Sequence, residues 1–264
     1  MKKTIILAGL LILISACTSI PISGRKQLLL VSDAEVLALS KQSFSSYMAK
    51  STPSSNKVNS AMVERCGKRI AGAVEKYLNS QGLSSEVNNF NWEFHLVKDP
   101  TPNAFCMPGG KIVINEGILP YTKDESGLAI VIGHEIAHAV AKHANERISQ
   151  QMMVQTGSSL LQVALGGQSS ETQKLAQSVF GVGANVGLML PYSRKHEYEA
   201  DRLGLIFSAM AGYNPNRAVS FWQDMAQKNA SGQSSSFLST HPTDQERINN
   251  IKTVMPEAMA YYLK

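Results

Sequence analysis

The run His134-Glu135-Ile136-Ala137-His138 gathers two imidazoles and a carboxylate within five residues. On a helix, side chains four apart stand one above the other, so His134 and His138 can address a single metal ion. Glu135 sits about a quarter-turn round, within reach of a water at that ion without being a ligand. Two imidazole ligands and a carboxylate base are the core parts of a zinc site that hydrolyses amide bonds. Such a site needs a third protein ligand and one open position. Downstream candidates are His143, His196, Glu197, Glu199 and His241. Glu197 and Asp201 are four apart, a spacing that lets Glu197 bind the metal while Asp201 orients a ligand imidazole from behind. Helical acidic pairs are more often solvated surface, so this spacing alone does not decide the ligand. His143 lies nine residues after His134, about half a turn out of phase, and reads as structural. His196 adjoins Glu197 and points elsewhere, and His95 falls in a strand away from this chemistry.

The element that must carry the first motif is a helix over Asp124–His143, with Leu128, Val131, Ile132, Ile136, Ala139 and Val140 at three- and four-residue steps. Asp124 or Ser126 can cap its start. Before it, Trp92–Val97 and Lys111–Asn115 read as strands, and Pro108-Gly109-Gly110 between them marks a turn. By likeness to other zinc peptidases, in which the strand before the metal helix presents a sheet edge, the Gly110–Asn115 strand is expected to offer one on which an extended peptide could add as a further strand. Ser32-Asp33-Ala34-Glu35 is a capping box opening a helix to about Met48, and a second helix runs from Val58 to about Leu78. Later helices are predicted over Ser193–Ala211, Pro215–Lys228 and Pro242–Val254, with a serine-rich linker at Ser231–Ser236. Between them, Gln150–Leu190 is apolar and glycine-rich. Its charge-free portion, Leu175–Leu190, is short for a membrane span and is interrupted by glycines. A buried helical pair joined by a flexible loop, with Gly157–Ser170 as a lid or contact region, is the favoured reading. The fold class is α+β, mostly α-helical, with a small β-sheet next to the zinc helix.

Lys2 and Lys3 precede the apolar run Ile5–Ile14 and then Ser15-Ala16-Cys17, the layout of a cleavable signal. The string Ile14-Ser15-Ala16-Cys17 resembles a bacterial lipobox, which implies residues 1–16 as signal peptide, acylated Cys17 as the mature start and 17–31 as an irregular tether. Thr18 after that cysteine resembles sorting to an outer membrane, facing the periplasm. Residues 32–264 then form one domain, long enough to bury a sizeable core. The formal charge of +5, two of it lost with Lys2 and Lys3, comes without a basic stripe or stacked aromatics, which argues against nucleic acid. Cys66 and Cys106 are compatible with a disulfide or with two small buried residues.

The zinc helix, the run Ser193-Arg194-Lys195-His196-Glu197-Tyr198-Glu199-Ala200-Asp201 and the late Ser239-Thr240-His241-Pro242 through Arg247-Ile248 together resemble the M48 family of metallopeptidases, nearest its bacterial-lipoprotein and Oma1-like members. Asn103-Ala104-Phe105, Gly109-Gly110 through Asn115-Glu116-Gly117, and Gly24-Arg25-Lys26-Gln27-Leu28 match as well, so the likeness extends from residue 24 to 248. The resemblance implies a gluzincin-like peptidase domain holding one Zn2+ on His134, His138 and Glu197. It makes Glu135 the base, Asp201 the support of a ligand imidazole, and His241 a late histidine that stabilises the oxyanion or fills the open site at rest. Arg247 would fix the His241 loop. It further implies an endopeptidase acting on unfolded or misfolded cell-envelope proteins, beside envelope assembly machinery. The alternative is a zinc-bound, chaperone-like binding module with little proteolysis, against which the presence of Glu135 argues. An intramembrane peptidase would need several long apolar spans, which this chain lacks.

Overall fold

The computed structural model describes residues 17–159, 193–230 and 236–262. In chain order the elements are strands β1 (Cys17–Ser19) and β2 (Lys26–Leu28), helices α1 (Asp33–Met48), α2 (Lys57–Ser80) and α3 (Ser84–Val87), and strands β3 (Glu93–Val97), β4 (Ala104–Met107) and β5 (Lys111–Asn115). There follow α4 (Leu119–Thr122), α5 (Glu125–Val140), α6 (His143–Ser159), α7 (Arg194–Met210), α8 (Arg217–Ala230), α9 (Ser236–Thr240) and α10 (Gln245–Tyr262). The signal segment, the lid region beyond residue 159, the helical pair expected up to Leu190 and most of the serine-rich linker lie outside the described residues.

The architecture is mostly helical with a three-stranded sheet in the order β3-β5-β4. β3 runs parallel to β5, pairing Glu93 with Lys111 and Val97 with Asn115, while β4 runs antiparallel to it, pairing Ala104 with Ile114. β5 is therefore the central strand, which corrects the expectation that Gly110–Asn115 offers an edge. Both faces of the sheet are covered, so β5 is buried at every position. Ile112 and Ile114 enter the main core with α2 and α5, and Val113 joins Phe44 of α1 on the other side. The edge beside the motif helix is β4. Gly109 and Gly110, at φ 85° and 82°, make the left-handed turn that brings β5 back along it.

α5 is buried nearly all round, from Gly127 to His138, and forms the centre of the domain. Asp124 supplies its cap by accepting a hydrogen bond from the Gly127 amide at 2.7 Å, so Ser126 is not the cap. Its principal partner is α7, and the two cross at Gly133 and Gly204. A methyl added at Gly204 would lie 2.7 Å from the His134 nitrogen. This close approach brings the α7 acids within reach of the α5 histidines.

Three expectations are corrected near the ends of these elements. The motif helix does not continue to His143. It stops at Val140, Lys142 takes a left-handed φ of 53°, and α6 begins afresh at His143. The Lys142 ammonium bridges Asp33 at 2.7 Å and Glu86 at 2.8 Å, which holds the break in place. The lead to the domain is likewise not an irregular tether. β1 and β2 pair as a hairpin, Ile20 is buried in the main core, and Arg25 reaches into a buried acidic cluster. Cys66 and Cys106 are free buried thiols without a disulfide. The last helix runs to Tyr262 through Pro256, beyond the expected stop at Val254, with Ile251 and Ala258 buried on either side of the proline. Among the described residues no helix is long and apolar enough to cross a membrane.

Candidate metal centre

Four buried side chains from three places in the chain converge: His134 and His138 of α5, Glu197 in the first turn of α7, and His241 just after α9. One ligand-type atom from each lies within 4.8 Å of all the others. His134 Nε2 is 3.0 Å from His138 Nε2, 3.2 Å from His241 Nδ1 and 3.4 Å from a Glu197 carboxylate oxygen. His138 Nε2 lies 3.5 Å from Glu197 Oε1, and His241 Nδ1 lies 3.1 Å from it. α7 delivers Glu197 from its N-terminus, where Ser193 caps the helix by accepting from the His196 amide.

His134 Nδ1 stands 3.0 Å from Asp201 Oδ1, with its Nε2 turned toward the other three groups. Arg247 grips Asp201 through Nε at 2.7 Å and Nη2 at 2.8 Å, and places Nη1 2.8 Å from Glu197. The same Nη1 donates to the carbonyls of His241 and Pro242, tying the loop that carries His241. Below this guanidinium lies Trp222, with 3.7 Å between the Arg247 carbon and the ring centre, and the same indole meets His134 edge-on. Trp222 carries no spacing signal in the sequence, and only its position in the fold identifies it.

Burial favours a neutral Glu197, yet His241, Arg247, His134 and His138 hold its carboxyl well below the usual range. Burial also opposes charge on His134, but Asp201 and Glu197 outweigh it and push the imidazole up to about 9. For Glu135 burial dominates and raises the carboxyl above its usual value. Its Oε1 faces His241 Nε2 at 3.3 Å, and the Cys106 amide of edge strand β4 also interacts with the carboxyl. The Glu197 carboxylate and the ring nitrogens of His134, His138 and His241 thus face one point, which a cation can occupy by replacing the His134 proton.

The donor set fits zinc. Tetrahedral bonds of 2.0–2.1 Å require donor atoms about 3.3 Å apart; the separations among His134, His138 and Glu197 run from 3.0 to 3.5 Å, and His241 Nδ1 lies 3.2 Å from His134 and 3.1 Å from Glu197. Nitrogen and carboxylate donors suit that ion, and the Asp201 contact behind His134 is the outer support that zinc histidines commonly have.

Other predicted residues fall around this cluster. His143 is not among the four, but its Nδ1 touches His138 Nδ1 at 2.9 Å. His196 points away from the cluster, stacks on His143 at 4.4 Å and meets Glu146 at 3.0 Å. His95 lies on the far strand beside Glu93. Cys17 opens β1. Glu199, a candidate third ligand by sequence, is not among the four; it joins Glu146, Ser23 and Arg25 in a largely buried network, and the last three were not assigned to the site from sequence. The Gly24-Arg25 landmark and the second acid of Glu197-Tyr198-Glu199 were its only traces.

The model of Peptidase family M48 matches residues 65–255, and the chain belongs to that family of zinc-dependent metallopeptidases. It is 41% identical to the mitochondrial metalloendopeptidase OMA1 of Schizosaccharomyces pombe over 175 residues, 66% of this chain and 50% of that protein. It is 27% identical to human OMA1 over 250 residues, 90% of this chain and 46% of the relative. It is also 30% identical to the beta-barrel assembly-enhancing protease of Escherichia coli over 187 residues, 66% of this chain and 37% of that protein. The chain therefore spans half or less of the length of these curated relatives.

Proposed function

We propose that this chain is a zinc metalloendopeptidase that cleaves unfolded or misassembled proteins of the cell envelope. The observation that carries the reading is the convergence of His134, His138 and Glu197 around one point, with the buried carboxylate of Glu135 beside them. Zinc, when bound by those three residues, supplies a Lewis acid that brings the pKa of water toward neutrality and polarises a carbonyl. Glu135, made more basic by burial, takes the proton from the attacking water and passes it to the leaving amine nitrogen as the C–N bond breaks. His241 donates through Nε2 to the oxygen that gains negative charge. Asp201 and Arg247 hold His134 and the His241 loop in register.

An extended substrate lies along β4, the edge strand beside the motif helix, by adding to the sheet. That mode engages main chain more than side chain and suits unfolded polypeptides. Asn103, just before β4, buries an amide whose oxygen and nitrogen find no hydrogen-bond partner among the described residues, and a substrate backbone supplies them. The envelope assignment draws on the lipobox-like Cys17 and on the name of the Escherichia coli relative, a beta-barrel assembly-enhancing protease, with Cys17 acylated and the domain facing the periplasm. The test is Glu135→Gln. The variant keeps one zinc per chain and loses cleavage of casein and of an unfolded outer-membrane protein by at least about 10²-fold. Full activity in a zinc-loaded variant overturns the mechanism.

A second reading draws on the fourth donor. With His241 Nδ1 at 3.2 Å from His134 Nε2, the set has four protein donors, as in structural zinc sites. That arrangement serves as a resting form, closed until the His241 loop swings away. If the loop never opens, the protein is the chaperone-like module, and casein stays intact with and without chelator.

A further inference from the structure

His138 is served from behind by an arrangement unlike that behind His134. Among the described residues its Nδ1 meets the Nδ1 of His143, at 2.9 Å, rather than a carboxylate. The other nitrogen of His143 meets Glu199 Oε2 at 3.0 Å. Glu199 also accepts from Ser23 Oγ and from Arg25 Nε, the latter at 2.7 Å. Arg25 in turn forks onto both oxygens of Glu146, at 2.9 and 2.7 Å, and Glu146 meets His196. All of these side chains except Ser23 and Arg25 are buried, and they surround a single imidazole.

Counting protons along this chain fixes its polarity. A carboxylate paired with a guanidinium is ionised and can only accept, so His143 Nε2 carries the hydrogen shared with Glu199. Two imidazole nitrogens in contact share one hydrogen between them. If His143 supplied it, His138 would accept at Nδ1 and would need its own hydrogen at Nε2, which faces the metal ligands. If His138 supplies it, Nε2 presents a lone pair to the metal. Only the second arrangement serves a metal ligand.

We propose that His143 is a positioning residue for zinc, accepting the Nδ1 hydrogen of His138 while Glu199, clamped by the Ser23–Arg25 turn of the N-terminal hairpin, fixes His143. This rests on the zinc site proposed above and extends it to the opposite end of the chain. The break at Lys142 has a purpose in this light. A continuous helix would carry His143 out of phase, whereas the left-handed residue starts α6 with His143 turned back onto His138.

The experiment compares full-length wild type with His143→Phe, His143→Gln and Arg25→Met, reading zinc affinity by competition with a chelator and melting temperature after zinc removal. Phenylalanine keeps a ring but neither hydrogen bond. Glutamine can accept with its oxygen and donate with its nitrogen. The expected result is 10- to 100-fold weaker zinc binding for His143→Phe, the usual cost of losing such a support, recovery to within a few-fold for His143→Gln, and an intermediate loss for Arg25→Met. Melting temperatures of the zinc-free forms do not follow that order. Equal zinc affinity in wild type and His143→Phe overturns the proposal, and so does an equal loss in the Phe and Gln variants. Nitrogen NMR of the wild-type zinc form supplies a check that needs no variant: His138 is protonated at Nδ1 and His143 at Nε2. Any other pair of tautomers refutes the assignment. A wild type that binds no zinc refutes the metal site itself, a failure distinct from any change confined to the variants.

Discussion

Gly204→Ala tests whether the distance between α5 and α7 sets the metal site. The added methyl would stand 2.7 Å from the His134 nitrogen, 2.9 Å from the Gly133 carbonyl carbon and 2.9 Å from His134 Cα. All three are backbone atoms, so no rotamer change relieves the contact. Ordinary contact near 3.5 Å requires the helices to part by roughly 0.7 Å. His134 and His138 ride on one helix, Glu197 and Asp201 on the other. The 3.4 Å separation of His134 from Glu197 would then approach about 4 Å, beyond the edge of about 3.3 Å that a tetrahedral zinc allows. Overpacking of this kind costs about 1–3 kcal/mol, which for a chain of this size lowers the melting temperature by several degrees without unfolding it. Displacement of this order reduces turnover by about 10²-fold and weakens zinc at least tenfold. The assays are chelator competition, casein cleavage at saturating zinc and thermal melting. Gly72→Ala is the control, because a methyl there meets nothing within 4 Å. Wild-type zinc affinity and turnover in Gly204→Ala would refute the reasoning.

Asp201→Asn removes the charge between His134 and Arg247 and is expected to weaken zinc binding 10- to 100-fold; an unchanged chelator midpoint contradicts that role. His241→Ala retains zinc on three donors and loses about 10²-fold in kcat through the missing oxyanion donor, whereas faster casein cleavage would make His241 a plug alone. Glu146 is held at about 2 despite its burial, by His196 and Arg25. A lowered carboxyl stabilises the fold above its unfolded value near 4.5 and loses that contribution as pH falls toward 2. Glu146→Gln is therefore less stable than wild type by up to about 3 kcal/mol at neutral pH, and the gap in urea midpoint narrows below pH 4.5. A gap independent of pH down to 3 would show that the carboxylate charge is not the source.

The centre of this site was legible because helical spacing is local. The pairs His134/His138 and Glu197/Asp201 are set by the pitch of one helix each, and apolar periodicity announced both helices. The capping box at Ser32 was equally local, and α1 begins at Asp33. What stayed hidden depends on long-range contacts. The order β3-β5-β4 comes from a crossover that no strand pattern encodes, so the edge expected at Gly110–Asn115 falls on the central strand. The break at Lys142 has neither glycine nor proline to mark it and rests on two acids, Asp33 and Glu86, distant in sequence. Arg25 lies 121 residues from Glu146 and 174 from Glu199, so its place in the interior follows only from the assembled fold.

The hairpin at the start of the domain also governs geometry on a larger scale. Ile20 is seated in the core only three residues after Cys17, a stretch of about 10 Å even when fully extended. A lipid at Cys17 would leave the enzyme no leash. On the proposed acylation the domain would lie flush against the bilayer in a narrow range of orientations, and on the proposed function it would reach only chains that linger within the first molecular layer above the lipid.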